Sequence, residues 1–162
     1  MLLIDAYNVL HTTMPPALAG LDAAGLCLAL ARTPWREQSI KVVCDGQPGP
    51  LGLLDSPTDA VELLYSGVNR TADAVIIDHV NHHTAPRRLT VVSSDHEIRK
   101  AARRRRATTW TSEQFIHQLV EALRQGNHPT VGPEKPTGTL DDAQTRNWLK
   151  AFGYKPEDNT ST

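Results

Sequence analysis

The chain has 162 residues, of which 40% are hydrophobic and 22% charged, and its formal net charge is −1. This length fits one globular domain whose core is large enough to fold without disulfides. The near-neutral total excludes a protein that coats nucleic acid through bulk charge. With two cysteines and no long apolar run, we expect a soluble cytoplasmic protein without a signal peptide or membrane span.

Apolar segments with strand character alternate with amphipathic segments along the first 125 residues. Residues 2–4 predict a strand that ends in a turn from Asp5 to Asn8, and a helix is expected before Pro34. The other strands are predicted at 40–44, 61–65, 89–92 and 108–110. Alternation of this kind is typical of a three-layer α/β domain with a parallel sheet, here of about five strands.

Polar residues indicate where three helices begin. Thr71 is suited to cap a helix that starts at residue 72. Ser94 with Glu97, and Thr111 with Gln114, have the spacing of capping boxes. The first box is predicted to open a helix that continues through the arginine run, and the second to open the last helix of the domain.

The composition changes near the end of the chain. Residues 1–125 are predicted to form the domain, and residues 126–140 form a linker because proline and glycine replace apolar residues there. Residues 141–162 are predicted to contain one short helix followed by a polar tail. Its apolar residues, Trp148, Leu149 and Phe152, are too few to stabilise a helix in water without a docking surface.

Acidic residues follow the predicted strands at the same end of the sheet. Asp5, Asp45 and Asp95 come at or just after strand ends, and Asp73 lies in the first turn of a helix. Ligands of open α/β sheets bind beyond the carboxyl ends of the strands. Carboxylates gathered there repel one another unless a cation neutralises them, and oxygen ligands suit Mg²⁺ or Mn²⁺. Such ions bind phosphate oxygens and activate water for phosphodiester hydrolysis.

Each acid taken alone also has a structural interpretation. Asp73 and Asp95 are favoured near helix starts by the helix dipole, Asp45-Gly46 is an ordinary turn pair, and Asp5 is able to cap the following segment. It is the placement of all four acids at one sheet edge that favours a metal site.

Several short segments resemble, in order, the motifs of NYN and YacP-like PIN domains. Residues 2–10, L-L-I-D-A-Y-N-V-L, resemble the family's first strand and its D-x-Y-N turn, and V-V-C-D-G at 42–46 is similar to the end of its second strand. T-A-D at 71–73 and V-V-S-S-D at 91–95 match a helix start and the end of the fourth strand, and residues 107–119 resemble the following strand and helix. The resemblance covers about residues 1–124.

The resemblance implies a PIN-like fold and a Mg²⁺- or Mn²⁺-dependent ribonuclease, acting as an endonuclease, with Asp5, Asp73 and Asp95 as metal ligands. Asn8 would then orient a carboxylate or a water, and Asp45 is an outer candidate for the metal. Family members often carry Glu four residues after the T-A-D aspartate, where this chain has Ile77. The nearest acid, Asp78, points about a hundred degrees further round the helix, so a fourth ligand is left open.

A run of basic residues is the second candidate site. Arginines suit bidentate contacts to phosphate, so we predict that this run binds the RNA backbone, with Arg99, Arg103 and Arg106 on one side of a helix. The alternative is a solvated helix end whose cations complement the dipole. The predicted nucleic-acid-binding residues are Arg99, Lys100, Arg103, Arg104, Arg105 and Arg106.

The sequence favours the nuclease over several other functions. One is a PIN-like module that binds RNA or a ribosome-associated partner with weak or no catalysis, which Ile77 would favour. A zinc site at Asp78, His79, His82 and His83 lacks a distal ligand, and a phosphatase lacks the D-x-D strand ending. No glycine pattern implies a nucleotide cofactor. The expected partner is RNA, of mRNA, tRNA or ribosomal origin, with no membrane, and a homo-oligomer is left open.

Overall fold

The computed structural model describes residues 1–48 and 56–126. Within these ranges strands and helices alternate, and short 3₁₀ helices lie at Pro16–Leu18, Pro34–Glu37 and Pro86–Arg88. The elements in chain order are β1 (Leu2–Asp5), α1 (Ala6–Leu10), α2 (Ala23–Ala31), β2 (Ile40–Cys44), β3 (Glu62–Tyr65), α3 (Ala72–His82), β4 (Thr90–Val92), α4 (His96–Arg104), β5 (Thr108–Trp110) and α5 (Ser112–Gly126).

The five described strands form one parallel sheet in the order β3-β2-β1-β4-β5. The strand order reverses at β1, because the chain first builds outward through β2 and β3 and then returns to add β4 on the other side. The carboxyl ends of β1 and β4 therefore flank the crevice where ligands of such sheets bind. This architecture confirms the predicted α/β class and parallel sheet.

Both faces of the sheet are covered by apolar side chains. Leu2 and Ile4 point into the core under α2 and α5, whereas Leu3 between them joins the core under α3 and α4. In β2, Val42 joins the core under α2 and α5, and Val43 joins the core under α3 and α4. Because successive side chains of a strand point to opposite faces, a sheet with two covers needs the unbroken apolar runs seen in the sequence.

Two predicted segments differ from the structure before the second strand. The expected turn after β1 is the short helix α1, because the Asp5 carboxylate accepts a hydrogen bond from the backbone N–H of Asn8 at 3.1 Å and caps it. The helix expected before Pro34 is confined to α2, whose N-terminal cap is Asp22. The third and fourth strands each begin one residue later than predicted.

The prediction that Ser94 and Glu97 form a capping box is wrong. Asp95 caps α4 instead, since its Oδ1 accepts a hydrogen bond from the Ile98 N–H at 2.9 Å. The second box is confirmed, with reciprocal hydrogen bonds between Thr111 and Gln114 at 3.0 and 3.2 Å.

Helix α4 ends inside the arginine run, so Arg106 does not share a helical face with Arg99 and Arg103 as predicted. Arg106 has a φ of +62°, and its N–H donates to the carbonyl of Arg103 while that of Ala107 donates to Ala102. This is the Schellman ending of a helix, with an arginine in the left-handed position that usually holds glycine.

The predicted C-terminal elements lie almost wholly outside the described residues. Gly126, expected to begin the linker, is the last residue of α5. Residues 127–140 of the predicted linker and the predicted helix and tail at 141–162 are not described. Over the described ranges, none of the helices combines the length and the apolar character that crossing a membrane requires.

Candidate active site

Asp5 is the buried acid at the centre of the sheet edge, with only 1% of its surface exposed. Its Oδ1 accepts from the Asn8 backbone, and its Oδ2 accepts from the Asn8 side-chain amide at 2.6 Å and from the Ser93 hydroxyl at 2.9 Å. These donors fix both carboxylate oxygens. The structure thus places Asn8 against a carboxylate, which is one of the two positions expected for it.

Ser93 connects Asp5 to Asp95, and sequence reasoning missed it. The Ser93 hydroxyl donates to Asp5 and accepts from the backbone N–H of Asp95 at 3.0 Å. Ser93 is fully buried, so this link between the ends of β1 and β4 is shielded from water. The S-S-D segment carries the signal, but its capping-box spacing indicates Ser94 and not Ser93 as the structural residue.

Asp45 lies at the end of β2 and fastens the start of α3. Its Oδ1 accepts from the Ala72 N–H at 2.6 Å, while the Thr71 hydroxyl caps the same helix by accepting from the Ala74 N–H at 3.2 Å. Asp73 follows Ala72 directly, so this capping brings the first turn of α3 to the same edge as Asp5.

Asp73 has a different environment from the other three acids. It is exposed, as Asp45 is, but it differs from the other three because no hydrogen bond holds its carboxylate among the described residues. Partial burial raises its pKa above the ordinary value, and the negative charges of Asp5, Asp95 and Asp45 raise it further. The acids therefore act on one another electrostatically, as groups that converge at one edge must.

Glu113 is a fifth acid at this edge that the sequence analysis did not single out. It lies in the first turn of α5, and its carboxylate accepts from the hydroxyls of Thr12 at 3.1 Å and Ser94 at 3.4 Å. Its own backbone N–H and the side chains of Thr111 and Thr12 hold its pKa below the usual range. Glu113 is consequently ionised and ties α5 to the ends of α1 and β4.

The donor set of this edge fits Mg²⁺ or Mn²⁺ in its chemistry, since every candidate ligand is a carboxylate oxygen. In the described ranges, no three His, Cys, Asp or Glu side chains are placed to hold one ion together. Mg²⁺ keeps several waters and commonly binds through one or two carboxylates plus substrate phosphates. An ion at this edge would therefore keep part of its water shell and share its other ligand positions between carboxylates and substrate.

The basic residues occupy a different part of the domain from the acids. Helix α4 starts at the acidic edge and runs back along the sheet, so Arg99 and Lys100 lie about one turn from Asp95. Arg103 and Arg104 fill its last turn, and Arg105 donates to the His83 carbonyl at 2.9 Å. Only the first part of the predicted RNA-binding run is thus near the carboxylates.

Three side chains of the rejected zinc alternative, Asp78, His82 and His83, have structural partners. Asp78 pairs with Arg70 at 3.8 Å and with His82 at 3.2 Å, and the His83 ring accepts from the Ala85 N–H at 3.1 Å. These exposed pairs hold Asp78.

Burial raises the pKa of Cys27 to about 12 and that of Cys44 to about 11, so both cysteines remain thiols.

Comparison with known proteins identifies the family. The family model of the YacP-like NYN domain matches residues 2–151. The chain belongs to the YacP-like NYN domain family. As an NYN domain it has the nuclease-type PIN-like fold, and the family indicates activity on RNA. A search of curated proteins finds no match for this NYN domain.

Two solved structures of Rae1 (YacP) from Bacillus subtilis resemble this NYN domain. One covers 94% of this chain and 92% of that chain at 22% identity, with a TM-score of 0.62. The other, of a single-substitution mutant, covers 76% and 77% at 21% identity, with a TM-score of 0.56. At these identities the likeness demonstrates the shared fold.

Proposed function

We propose that this NYN domain is a metal-dependent endoribonuclease whose site is the carboxyl edge of β1 and β4. The observation that carries the proposal is the convergence of Asp5, Asp73 and Asp95 at this edge, with Asp5 and Asp95 joined through Ser93. A dense negative charge that raises the pKa of Asp73 favours binding of a cation over binding of RNA alone.

Asp5, Asp73 and Asp95 would hold Mg²⁺ or Mn²⁺, with Asp45 further out. Such an ion supplies a water of lowered pKa and neutralises charge that develops on the phosphate. The chain's own residues prepare the site. Asn8 and Ser93 orient the Asp5 carboxylate through three hydrogen bonds, and burial at the sheet edge limits its rotation.

The test combines metal binding with cleavage. Mn²⁺ is expected to raise the melting temperature of the wild-type protein in proportion to the logarithm of its concentration above the Kd. Labelled single-stranded RNA should be cut in Mn²⁺ and remain intact in EDTA. RNA that stays intact in Mn²⁺ would contradict the nuclease.

A second candidate function is an RNA-binding module without catalysis. It is favoured by Ile77 at the position where the family often has an acid, and by the described residues' lack of a three-ligand cluster. The same assay separates the two functions, because such a module binds RNA in EDTA and does not cut it in Mn²⁺.

A further inference from the structure

Helices α3 and α4 form a groove that begins about one helical turn behind the acidic edge. They pack side by side on one face of the sheet through Ile76, Val80, Ile98 and Ala102. Asp73 and Asp95 lie at the starts of these two helices. A cavity of about 230 Å³ lies between the helices and begins at Ile77 and Glu97, four and two residues beyond those acids, and it extends along Lys100 and Arg104.

The groove leads from negative to positive charge. From Asp95 to Arg104 is nine residues of helix, or about 13 Å. Arg103 and Arg104 lie in the last turn of α4 at the far end. A polyanion that meets the acids at one end is therefore attracted along the groove to the other.

The groove lining is suited to phosphates. Ile77 and Ala101 contribute neutral side chains to its lining, and the one acid in that lining, Glu97, pairs with Lys100 at 3.6 Å. Within the described part of the chain no carboxylate pairs with Arg104. An acid in place of Ile77 would add a negative charge to the lining.

We propose that the α3–α4 groove holds the single RNA strand that flanks the scissile phosphate, with Lys100 and Arg104 as its phosphate contacts. The proposal rests on the proposed function, since it takes the acidic edge as the cleavage site. Phosphates next to the scissile one cannot remain among the carboxylates, because like charges repel. Neutral side chains with cations beside them provide the path away from the carboxylates.

The sharpest test is a pair of variants that differ only in charge. Ile77→Glu and Ile77→Gln have side chains of nearly equal size, and both place a polar group at the same half-buried position. Affinity for a fluorescein-labelled oligouridine is measured by anisotropy in EDTA, where no cleavage occurs. We expect Ile77→Glu to bind about three- to tenfold more weakly than Ile77→Gln, since a carboxylate there faces the phosphates. Equal affinities of the two variants would overturn the proposal that RNA lies in the groove.

A second pair of variants tests the proposal even if Ile77→Glu does not fold. Lys100→Gln and Arg104→Gln should each weaken binding and reduce the slope of log affinity against log salt by about 0.7. The matched control is Arg124→Gln, which removes the same charge from α5, where Arg124 pairs with Glu121 at 2.6 Å. Equal losses in all three variants would mean that only net charge matters, and would overturn the proposal.

Binding in EDTA also separates this proposal from the nuclease. If wild-type protein cuts no RNA in Mn²⁺ but Ile77→Glu still binds more weakly than Ile77→Gln, RNA binding in the groove is supported and the proposed nuclease activity is contradicted. If RNA is cut and the two variants bind RNA equally, the nuclease activity is supported and RNA binding in the groove is contradicted.

Discussion

Asp5→Asn separates the contribution of Asp5 to folding from its contribution to chemistry. The substitution keeps the shape of the side chain and removes its charge. One oxygen still accepts from the Asn8 backbone, while the new amide faces the Asn8 side chain and the Ser93 hydroxyl. Both neighbours can reorient to accept, because an amide can flip and a hydroxyl can rotate.

The expected cost to stability is moderate. A charge-assisted hydrogen bond contributes about 1.5–3 kcal/mol and a neutral one about 0.5–1.5, so weakening the three bonds by about 1 kcal/mol each costs about 3 kcal/mol. Removing one of the mutually repelling charges offsets part of it. Asp5→Ala leaves the Ser93 and Asn8 side-chain donors unsatisfied, at about 1–3 kcal/mol each, and removes the cap of α1, at about 1 kcal/mol.

These sums predict different melting temperatures. At roughly 4 °C per kcal/mol for a domain of this size, Asp5→Asn should lose less than about 12 °C and Asp5→Ala about 12–28 °C. Cleavage should fall by more than about a hundredfold in Asp5→Asn, because changes to groups behind metal ligands alone cost about 10–100-fold.

The matched control is Asp78→Asn, the same chemical change on an exposed acid paired with Arg70 and His82. Exposed pairs contribute about 0–1 kcal/mol, so its stability and cleavage should stay near wild type. Melting is followed by circular dichroism and cleavage on labelled RNA in Mn²⁺. Wild-type cleavage by Asp5→Asn would refute the assignment of Asp5, and equal melting of Asp5→Asn and Asp5→Ala would refute the hydrogen-bond argument.

Three further predictions concern charge, backbone and domain boundary. Because the pKa of Asp73 is raised in the fold, its ionised form is destabilising, and this effect sets in as pH rises from the unfolded carboxyl's pKa through the folded one. Asp73→Asn should therefore melt higher than wild type at neutral pH without metal and equally at strongly acidic pH, and equal melting at neutral pH would count against the convergence. Arg106→Gly should raise the melting temperature by roughly 4 °C, since an L residue in the left-handed region costs about 1–2 kcal/mol and glycine's added chain entropy about 0.5–1; an unchanged melting curve would contradict this. A chain ending at Gly126 should still melt in one cooperative transition by circular dichroism and keep the Mn²⁺ shift of the full protein, and loss of either would move the domain boundary beyond α5.

The strands and the acids could be predicted because local sequence determines them. Apolar runs bounded by turn residues locate the strands to within one residue, and Asp5, Asp45 and Asp95 lie at or shortly after strand ends. Ser93 and Glu113 could not be assigned in this way. In S-S-D three side chains are able to cap α4, and Asp95 does so because Asp5 and Glu113 recruit the two serine hydroxyls. Those partners are distant in sequence, as is Thr12, which is 101 residues from Glu113.

The structural and functional interpretations of the acids are not alternatives in this domain. Asp5 and Asp95 cap α1 and α4, and Asp45 accepts from the first N–H of α3. Capping is what holds these carboxylates at the sheet edge, because the capped helices begin where the strands end. Each cap uses part of the acceptor capacity of a carboxylate, which has about four lone-pair sites, so oxygens remain for another ligand. Asp73 has no capping role and is the acid whose pKa the others raise. The fold thus fixes three carboxylates through capping hydrogen bonds and leaves the fourth without one beside them, where a cation would relieve the repulsion.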